Sequence, residues 1–297
     1  MHIPTGGIIF FDSGIGGLTV LHTCTKYLPD EVFYYYGDNA HAPYGIRSPQ
    51  DIRRLVRRAF RKWKRLRPRA VVIACNTATA VCIEELRARY PIPILGVEPA
   101  VLPAARGGGE VFILTTSATA QSERFLALYQ RAQKMFPTAK LCLKPCPQLA
   151  GEIEAHLGDV TYDYKPFLPS GKPTAVVLGC THYIYIEEEI RAYYGCDVYH
   201  GNEGVARQLL RVLNDTSKKN WDERPPSNFL CRILGLLTTL VPIFSQKGKK
   251  REKANFCSHK KANNPLKNQA KRQIYFLGEN REKNEKTYFR TYVREEK

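Results

Sequence analysis

Short apolar runs rich in β-branched residues alternate, over about the first 213 residues, with longer segments whose apolar positions recur at helical spacing. Continuous apolar runs of this length are typical of strands buried on both faces, and strands that alternate with helices are typical of parallel sheets. The clearest helical stripe begins after Ser48 and comprises Ile52, Leu55, Val56, Ala59, Phe60, Trp63 and Leu66. The pattern predicts a mixed α/β fold with mostly parallel sheets.

Two of the predicted strands end in a cysteine: residues 71–80 read VVIACNTATA and residues 175–183 read AVVLGCTHY. Ligands of open α/β sheets bind beyond the carboxyl ends of the strands, so both thiols are expected in a binding crevice. A single cysteine after an apolar strand is more often a small buried hydrophobe. Here each thiol precedes side chains that need hydrogen-bond partners: Asn76 and Thr77 after Cys75, and Thr181 and His182 after Cys180. The pair favours two facing half-sites.

The turn at residues 13–17 follows the first predicted strand and is a candidate anion site. Free backbone N–H groups and the dipole of the following helix favour negative charge, so a substrate carboxylate would fit beside Ser13. A tight connection between strand and helix explains the glycines equally well. Asp12 strengthens the functional interpretation, because a carboxylate beside an anion site costs energy unless it orients or activates another group.

Three further segments supply candidate contacts. The loop at residues 39–47 contains Pro43, Tyr44 and Gly45, whose restricted and permissive backbones can hold a segment against a ligand. Thr119 ends a run of hydroxyl residues after a predicted strand, where it can hold a substrate or cap a helix. His182 lies two positions after a thiol, so it can hydrogen-bond that thiol, lower its pKa and accept a proton, or instead make a polar contact with the backbone.

Length and composition are those of a globular protein with room for two compact domains. The chain has 297 residues, of which 43% are apolar, and nine cysteines. An odd number of cysteines, with reactive thiols that must stay reduced, favours a reducing cytosol. The first residues lack the basic, apolar and cleavage regions of a signal peptide, so a cytoplasmic location is predicted.

Most of the net charge of +17 lies at the carboxyl-terminal end, because residues 216–297 contain 20 Lys and Arg against 8 Asp and Glu. Residues 229–244 are apolar but shorter than the about 20 residues of a membrane span, so no membrane segment is predicted. Residues 246–272 are rich in Lys and Asn and are predicted to be disordered or loosely attached. This basic tail leaves open a protein that binds nucleic acid or another anionic partner.

Four segments, in this order and spacing, resemble the glutamate racemases of the cofactor-independent aspartate/glutamate racemase superfamily. They are FDSGIGG at 11–17, GDNAHAPYG at 37–45, ACNTA at 74–78 and GCTHY at 179–183. The resemblance extends over about residues 7–213. It implies two similar α/β domains that face each other across a central cleft, with one thiol on each.

The resemblance implies two-base racemisation of glutamate, which supplies D-glutamate for peptidoglycan synthesis and needs no cofactor. Cys75 would serve D-glutamate with help from Asp12, and Cys180 would serve L-glutamate with help from His182. It also implies a homodimer, and a glutamate near the second half-site that matches Glu154. No lysine stands in a pyridoxal phosphate motif. The implied substrate contacts are Asp12, Ser13, Pro43, Tyr44, Gly45, Cys75, Asn76, Thr77, Thr119, Thr181 and His182.

Two departures from the family pattern are visible. Ile184 stands where the family usually has proline, and residues 148–151 lack the usual apolar pattern. A racemase of aspartate or of another acidic amino acid stays open as the nearest alternative.

The predicted domains are residues 1–97 and residues 98–206. Residues 207–215 return to the first domain, and residues 273–297 are a second candidate to do so. Residues 216–272 are then an atypical basic insertion; otherwise the family's carboxyl-terminal segment has been replaced. Because all four motifs lie earlier, the tail after Asp215 is expected to be dispensable for chemistry.

Overall fold

The computed structural model describes residues 6–63, 66–216, 273–278, 281–288 and 291–292, and two parallel sheets organise these residues. The first sheet has the strand order β4-β3-β1-β2-β9, and the second has the order β6-β5-β7-β8. The predicted α/β fold with parallel sheets is confirmed. The predictions for residues 229–244 and 246–272 concern segments outside the described residues.

The strands are short, and all pairings between them are parallel. The first sheet comprises β1 (Ile8–Asp12), β2 (Val32–Gly37), β3 (Ala70–Ile73), β4 (Ile94–Gly96) and β9 (Gln273–Leu277). The second comprises β5 (Gly109–Thr115), β6 (Ala139–Pro145), β7 (Ala175–Leu178) and β8 (Asp197–His200).

Helices connect the strands and cover the sheets. They are α1 (Gly17–Tyr27), α2 (Pro49–Lys62), α3 (Asn76–Arg89), α4 (Val101–Ala105), α5 (Ser117–Ala120), α6 (Glu123–Met135), α7 (Leu149–His156), α8 (Glu187–Tyr194), α9 (Asn202–Thr216) and α10 (Arg281–Tyr288). Short 3₁₀ turns occupy Asn39–His41, Tyr44–Ile46, Lys165–Phe167 and Thr181–Ile186. Within the described residues, no helix combines the length and apolar character of a membrane span.

β1 is the central strand of the first sheet and is buried on both faces. Ile8 and Phe10 belong to the core shared with α1 and α9, whereas Ile9 and Phe11 belong to the core shared with α2 and α3. Successive side chains of a strand point to opposite faces, so a strand covered on both sides must be apolar throughout. This burial fixes where Asp12, the last residue of β1, emerges at the sheet edge.

The helix after Ser48 forms as its sequence predicts. The Ser48 hydroxyl accepts a hydrogen bond from the backbone N–H of Asp51 at 3.2 Å, and Pro49 occupies the first turn, where its missing N–H costs nothing. The predicted apolar stripe is buried against the sheet. The helix thereby supports the loop at residues 39–47 that precedes it.

The carboxyl-terminal segment adds an edge strand to the first sheet. β9 pairs with β2 in parallel, with Tyr35 opposite Phe276. The two rings lie 6.2 Å apart, and Phe276 also contacts Tyr288 of α10 at 6.0 Å. Residues 273–278 therefore pack on the first sheet, while the insertion of residues 216–272 and the dispensability of the chain after Asp215 stay predictions.

We expect Phe276→Ala to lower the free energy of unfolding by about 3 kcal/mol, because it removes a buried aromatic ring and leaves a cavity. Val160→Ala is the matched control, since Val160 is 97% exposed and its truncation should cost less than about 0.5 kcal/mol. Denaturant unfolding of both variants measures the difference. Equal stability of Phe276→Ala and the unaltered chain would show that β9 is not part of the first core.

Candidate functional site

The carboxyl ends of strands from both sheets meet at one cleft. Asp12 ends β1, Cys75 follows β3 as the N-cap of α3, Thr116 follows β5 as the N-cap of α5, and Cys180 follows β7. Each residue lies where a parallel strand stops and its connection to the next element begins. Ligands of open α/β sheets bind beyond the carboxyl ends of the strands, so polar groups at this edge are available to a ligand.

The turn between β1 and α1 lies directly against the second sheet's half of the site. A Cβ atom at Gly16 would be only 2.5 Å from Nδ1 of His182, and one at Gly14 would be 2.6 Å from Oε2 of Glu154. Only glycine permits so close an approach. The hydroxyl of Tyr185 donates to the Ile15 carbonyl at 2.8 Å and fastens the turn from the opposite side. The turn therefore belongs to both half-sites.

Cys75 is buried and held by two polar contacts. Its thiol lies 3.6 Å from the Ser13 hydroxyl, and its sulfur accepts a hydrogen bond from the backbone N–H of Ala78 at 3.4 Å. Burial and the nearby charge of Asp12 raise the pKa of Cys75, and charge on Cys180 raises this pKa further. The group is accordingly a thiol at neutral pH, able to donate a proton.

Asp12 is fully buried beside Cys75. Its Oδ2 accepts a hydrogen bond from the backbone N–H of Gly14 at 3.0 Å, whereas Oδ1 has no hydrogen-bond partner among the described residues. Burial raises the pKa of Asp12, although the positive charge of His182 opposes the shift. A carboxyl group of this kind can carry a proton within the cleft.

The second thiol is linked to a histidine and a glutamate. The Sγ atom of Cys180 lies 3.8 Å from Nδ1 of His182, and Nε2 of the same ring lies 3.0 Å from Oε2 of Glu154. Burial alone would lower the pKa of His182, but its hydrogen bonds with Cys180 and Glu154 raise that pKa well above the ordinary value. Both contacts thus favour the protonated ring, whose Nδ1 faces the sulfur of Cys180 and whose Nε2 faces Glu154.

Glu154 lies between two cations. Besides His182, it contacts Lys283 of α10, whose Nζ is 2.9 Å from Oε1. Burial opposes ionisation of Glu154, yet the hydrogen bonds from His182 and Lys283 lower its pKa to about 2. The carboxylate is thus ionised throughout the physiological range and stabilises the charge on His182.

Three threonine hydroxyls join the two halves of the cleft. Thr77 of α3 lies 3.0 Å from Thr116 and 3.2 Å from Thr119, measured between Oγ1 atoms. Gly45 packs on the same group, since a Cβ at this position would be 2.6 Å from the Cβ of Thr116. The loop at residues 39–47 therefore closes this side of the cleft.

Tyr44 is a predicted site residue whose hydroxyl binds a carboxylate of its own loop. It donates a hydrogen bond to Oδ2 of Asp38 at 2.7 Å, and the ring is buried. Pro43 beside it is half-buried. Tyr44 still lies close enough to Cys75 for charge on the thiol to raise the pKa of the phenol.

Asn76 and Thr181 complete the predicted set, and both are buried beside their cysteines. Oδ1 of Asn76, like Oδ1 of Asp12, accepts no hydrogen bond from a described residue. Unpaired acceptors at the mouth of a cleft suit a ligand that brings N–H groups. Ile184, at the family's proline position, is half-buried in the 3₁₀ turn Thr181–Ile186 and packs against the second core.

Sequence reasoning missed two contributors to the site, Asp38 and Lys283, whereas Thr116 belongs to the hydroxyl run that the sequence indicates. Asp38 lies within the GDNAHAPYG segment, so a stricter reading of polar residues at strand ends could have found it. Lys283 had no such signal, because it is one of many lysines in a basic segment. Only the position of α10 identifies it.

Comparison with known proteins gives consistent matches. A family model described as Asp/Glu/Hydantoin racemase matches residues 18–209. A glutamate racemase of Clostridium botulinum (strain Loch Maree / Type A3) is 37% identical over 237 residues, which cover 75% of this chain and 90% of the relative.

Two solved structures also match. Escherichia coli glutamate racemase, in complex with L-glutamate and the activator UDP-MurNAc-ala, is 30% identical with a TM-score of 0.64, over 75% of this chain and 85% of that chain. Francisella tularensis glutamate racemase, in complex with D-glutamate, is 26% identical with a TM-score of 0.60, over 75% of this chain and 86% of that chain.

The lowered pKa of Glu154 predicts a specific dependence of stability on pH. Because the folded pKa is about 2 and the ordinary value is 4.5, Glu154 stabilises the fold fully above pH 4.5, and this contribution is lost as the pH falls towards 2. Over that window the unaltered chain should lose about 3 kcal/mol more than Glu154→Gln. Denaturant unfolding at several pH values measures this difference.

Glu189→Gln is the control for that experiment, since Glu189 is exposed on α8 and should leave the pH dependence unchanged. If Glu154→Gln follows the pH dependence of the unaltered chain, the ion pairs of Glu154 do not stabilise the folded state.

Proposed function

Since the chain belongs to the Asp/Glu/Hydantoin racemase family, we propose that it interconverts L-glutamate and D-glutamate by two-base chemistry that needs no cofactor. The observation that supports this most directly is the pair of thiols at facing strand ends, each beside a group that can exchange a proton with it. The named glutamate racemases among its relatives support glutamate as the substrate.

Racemisation requires removal of the Cα proton from one face and delivery of a proton to the other. One base can do both only if the planar carbanion turns over in the site. Two groups on opposite faces avoid that motion, and each needs the protonation state suited to its task. The cleft offers Cys75 from the first sheet and Cys180 from the second.

For L-glutamate we propose Cys180 as the base and Cys75 as the acid. The His182 imidazolium, 3.8 Å from Cys180, favours the thiolate that takes the Cα proton. Cys75 is a thiol, because burial raises its pKa, and it gives its proton to the opposite face. The reaction leaves Cys180 protonated and Cys75 as a thiolate, which is the arrangement that D-glutamate needs.

For D-glutamate the roles reverse, and Cys75 must first be a thiolate. Asp12 is proposed to accept its proton, since burial raises the pKa of this carboxyl and thereby favours its protonated form. The hydrogen bond from the backbone N–H of Ala78 to Sγ lowers the pKa of Cys75 against burial, as does the contact with the Ser13 hydroxyl, to which the thiol donates. The His182 imidazolium gives its proton to Cys180, and the resulting thiol protonates the carbanion to form L-glutamate.

The substrate's charged groups have matching partners in the cleft. The helix N-terminus at the turn of residues 13–17 suits a carboxylate, and the oxygens of Asp12 and Asn76 suit the amino group. The hydroxyls of Ser13, Thr77, Thr119 and Thr181, and the loop residues Pro43, Tyr44 and Gly45, are proposed to complete the contacts.

Substrate choice and setting are parts of the same proposal. D-glutamate formed in this way would serve peptidoglycan synthesis in the cytoplasm, and the enzyme is proposed to act as a homodimer, which light scattering can test. Aspartate is the alternative substrate, and assaying both amino acids separates the two hypotheses.

A second alternative is a protein that binds nucleic acid through its basic tail. Most of this tail lies outside the described residues. Retention on DNA that falls as the salt concentration rises would support this alternative.

We expect the purified protein to racemise glutamate, and Cys75→Ser or Cys180→Ser to reduce that activity by at least about a hundredfold, because a serine hydroxyl is too weak a base. Cys196→Ser is the control: this thiol is half-buried near the start of β8, outside the cleft. The rate at which optical rotation is lost measures the racemase activity of the unaltered protein and of the three variants. Near-normal activity of either cleft variant would exclude the two-thiol mechanism.

The same variants should separate the two half-reactions. Cys75→Ser retains Cys180 and is expected to exchange the Cα proton of L-glutamate with deuterated solvent, whereas Cys180→Ser should exchange that of D-glutamate. The double variant should exchange neither. Proton NMR of the Cα position measures the rates. Exchange of the opposite enantiomer by each variant would reverse the assignment of the thiols to the two faces.

A further inference from the structure

Lys283 reaches the second half-site from a helix that packs on the first sheet. Its helix, α10, is anchored by Asn284 and Tyr288, which are both buried. From there Nζ of Lys283 lies 2.9 Å from Oε1 of Glu154, which belongs to α7 beside the second sheet. The ion pair therefore joins the carboxyl-terminal segment to the group that orients His182.

The contacts of Glu154 leave its carboxylate little choice of orientation. Oε2 lies 3.0 Å from Nε2 of His182, and Oε1 faces Lys283. Gly14 closes the approach to Oε2, since even a Cβ at that position would be 2.6 Å away. If Lys283 were absent, Oε1 would lose its cation and the carboxylate could rotate away from the imidazolium.

The charges around Glu154 give Lys283 a second effect. Asp12 is a second acidic group nearby, and burial raises the pKa of Asp12 and of the phenols Tyr35 and Tyr185, with a smaller contribution from the charge of Glu154. An anionic substrate would have to enter close to these acidic groups. Together with His182, Lys283 supplies the positive charge that compensates Glu154.

We propose that Lys283 is a positioning residue of the Cys180 half-reaction, which binds Glu154 so that this carboxylate holds His182 beside Cys180. The proposal rests on the proposed function. It assigns a role to the segment after residue 272, which the sequence motifs do not include. Lys283 touches neither the thiol nor the site of the reacting carbon, so its effect passes through Glu154.

The structure also supplies the matched control. Lys286 lies on the same helix, is exposed like Lys283, and forms no ion pair with a described residue. Ion pairs of half-exposed lysines are often worth little, so the effect must be measured against a lysine with the same charge and setting. Lys283→Arg retains the cation and tests whether charge is sufficient.

The first experiment measures exchange at each face separately. Combined with Cys75→Ser, Lys283→Met should slow deuterium exchange of L-glutamate about threefold to tenfold, because a charge-assisted contact to Glu154 is lost. Combined with Cys180→Ser, it should leave exchange of D-glutamate within about twofold. Lys283→Arg and Lys286→Met should leave both rates within about twofold. An equal fall at both faces, or no fall for L-glutamate, would overturn the proposal.

The second experiment tests the route through Glu154. In a Glu154→Gln background, Lys283→Met should change the L-glutamate exchange rate by less than about twofold, since the interaction is already broken. A fall as large as in the native background would show that Lys283 acts elsewhere, and would overturn the proposal.

The third measurement does not depend on catalysis. ¹⁵N NMR of the His182 ring, identified by loss of its signals in His182→Asn, should show a shift of Nε2 in Lys283→Met but not in Lys283→Arg or Lys286→Met. An unchanged Nε2 signal in Lys283→Met overturns the positioning role. Proteins that show the shift but never racemise glutamate would instead refute the proposed function alone.

Discussion

The close approach of the turn after β1 to His182 and Glu154 is the contact on which the rest of the site depends. Glycine at positions 14 and 16 lets a backbone from the first sheet come within reach of charged side chains from the second. Because that contact brings the two sheets together, the charge of His182 lowers the pKa of Asp12 against burial, although the two residues follow strands of different sheets. A side chain at Gly16 would overlap the buried His182 ring, which would have to move.

Burial then makes the two half-sites electrostatically different. Around Cys75 the nearby charge is that of Asp12, so burial and charge act in the same direction and raise the pKa of the thiol. Around Cys180 the neighbour is His182, whose protonated form Glu154 stabilises against burial. The proposed roles follow this difference, with Cys75 as the group that gives a proton to the carbanion of L-glutamate and Cys180 as the group that takes the Cα proton. Reversible proton transfer across the plane of the carbanion needs one group that gives a proton and one that takes a proton. The two groups must also be able to exchange these protonation states.

The parts of the fold that depend on local pattern could be predicted, and those that depend on distant contacts could not. The buried strands were visible as apolar runs, and Ser48 and Pro49 marked a helix start, since each signal lies within a few residues of its effect. Cys75 and Cys180 were recognisable because polar residues follow apolar strands. The link between Glu154 and His182 spans 28 positions and was suggested only by resemblance, and the link from Glu154 to Lys283 spans 129. No pattern of neighbouring residues in the sequence indicates that these distant side chains are in contact.

The long segment between α9 and β9 need not disturb the site, because the chain returns to the first sheet at an edge strand. Among the described strands, β9 is an edge strand that pairs with β2 alone, so the register of β1, β2 and β3 does not depend on how the chain reaches β9. Lengthening a connection adds only a slowly growing entropic cost to its closure, roughly 0.6 kcal/mol for each doubling. The position of β9 in the first sheet must be preserved, because β9 places α10 and α10 places Lys283 beside Glu154. Selection on the cleft would therefore act on residues 273–288 while leaving the length of residues 217–272 free to change.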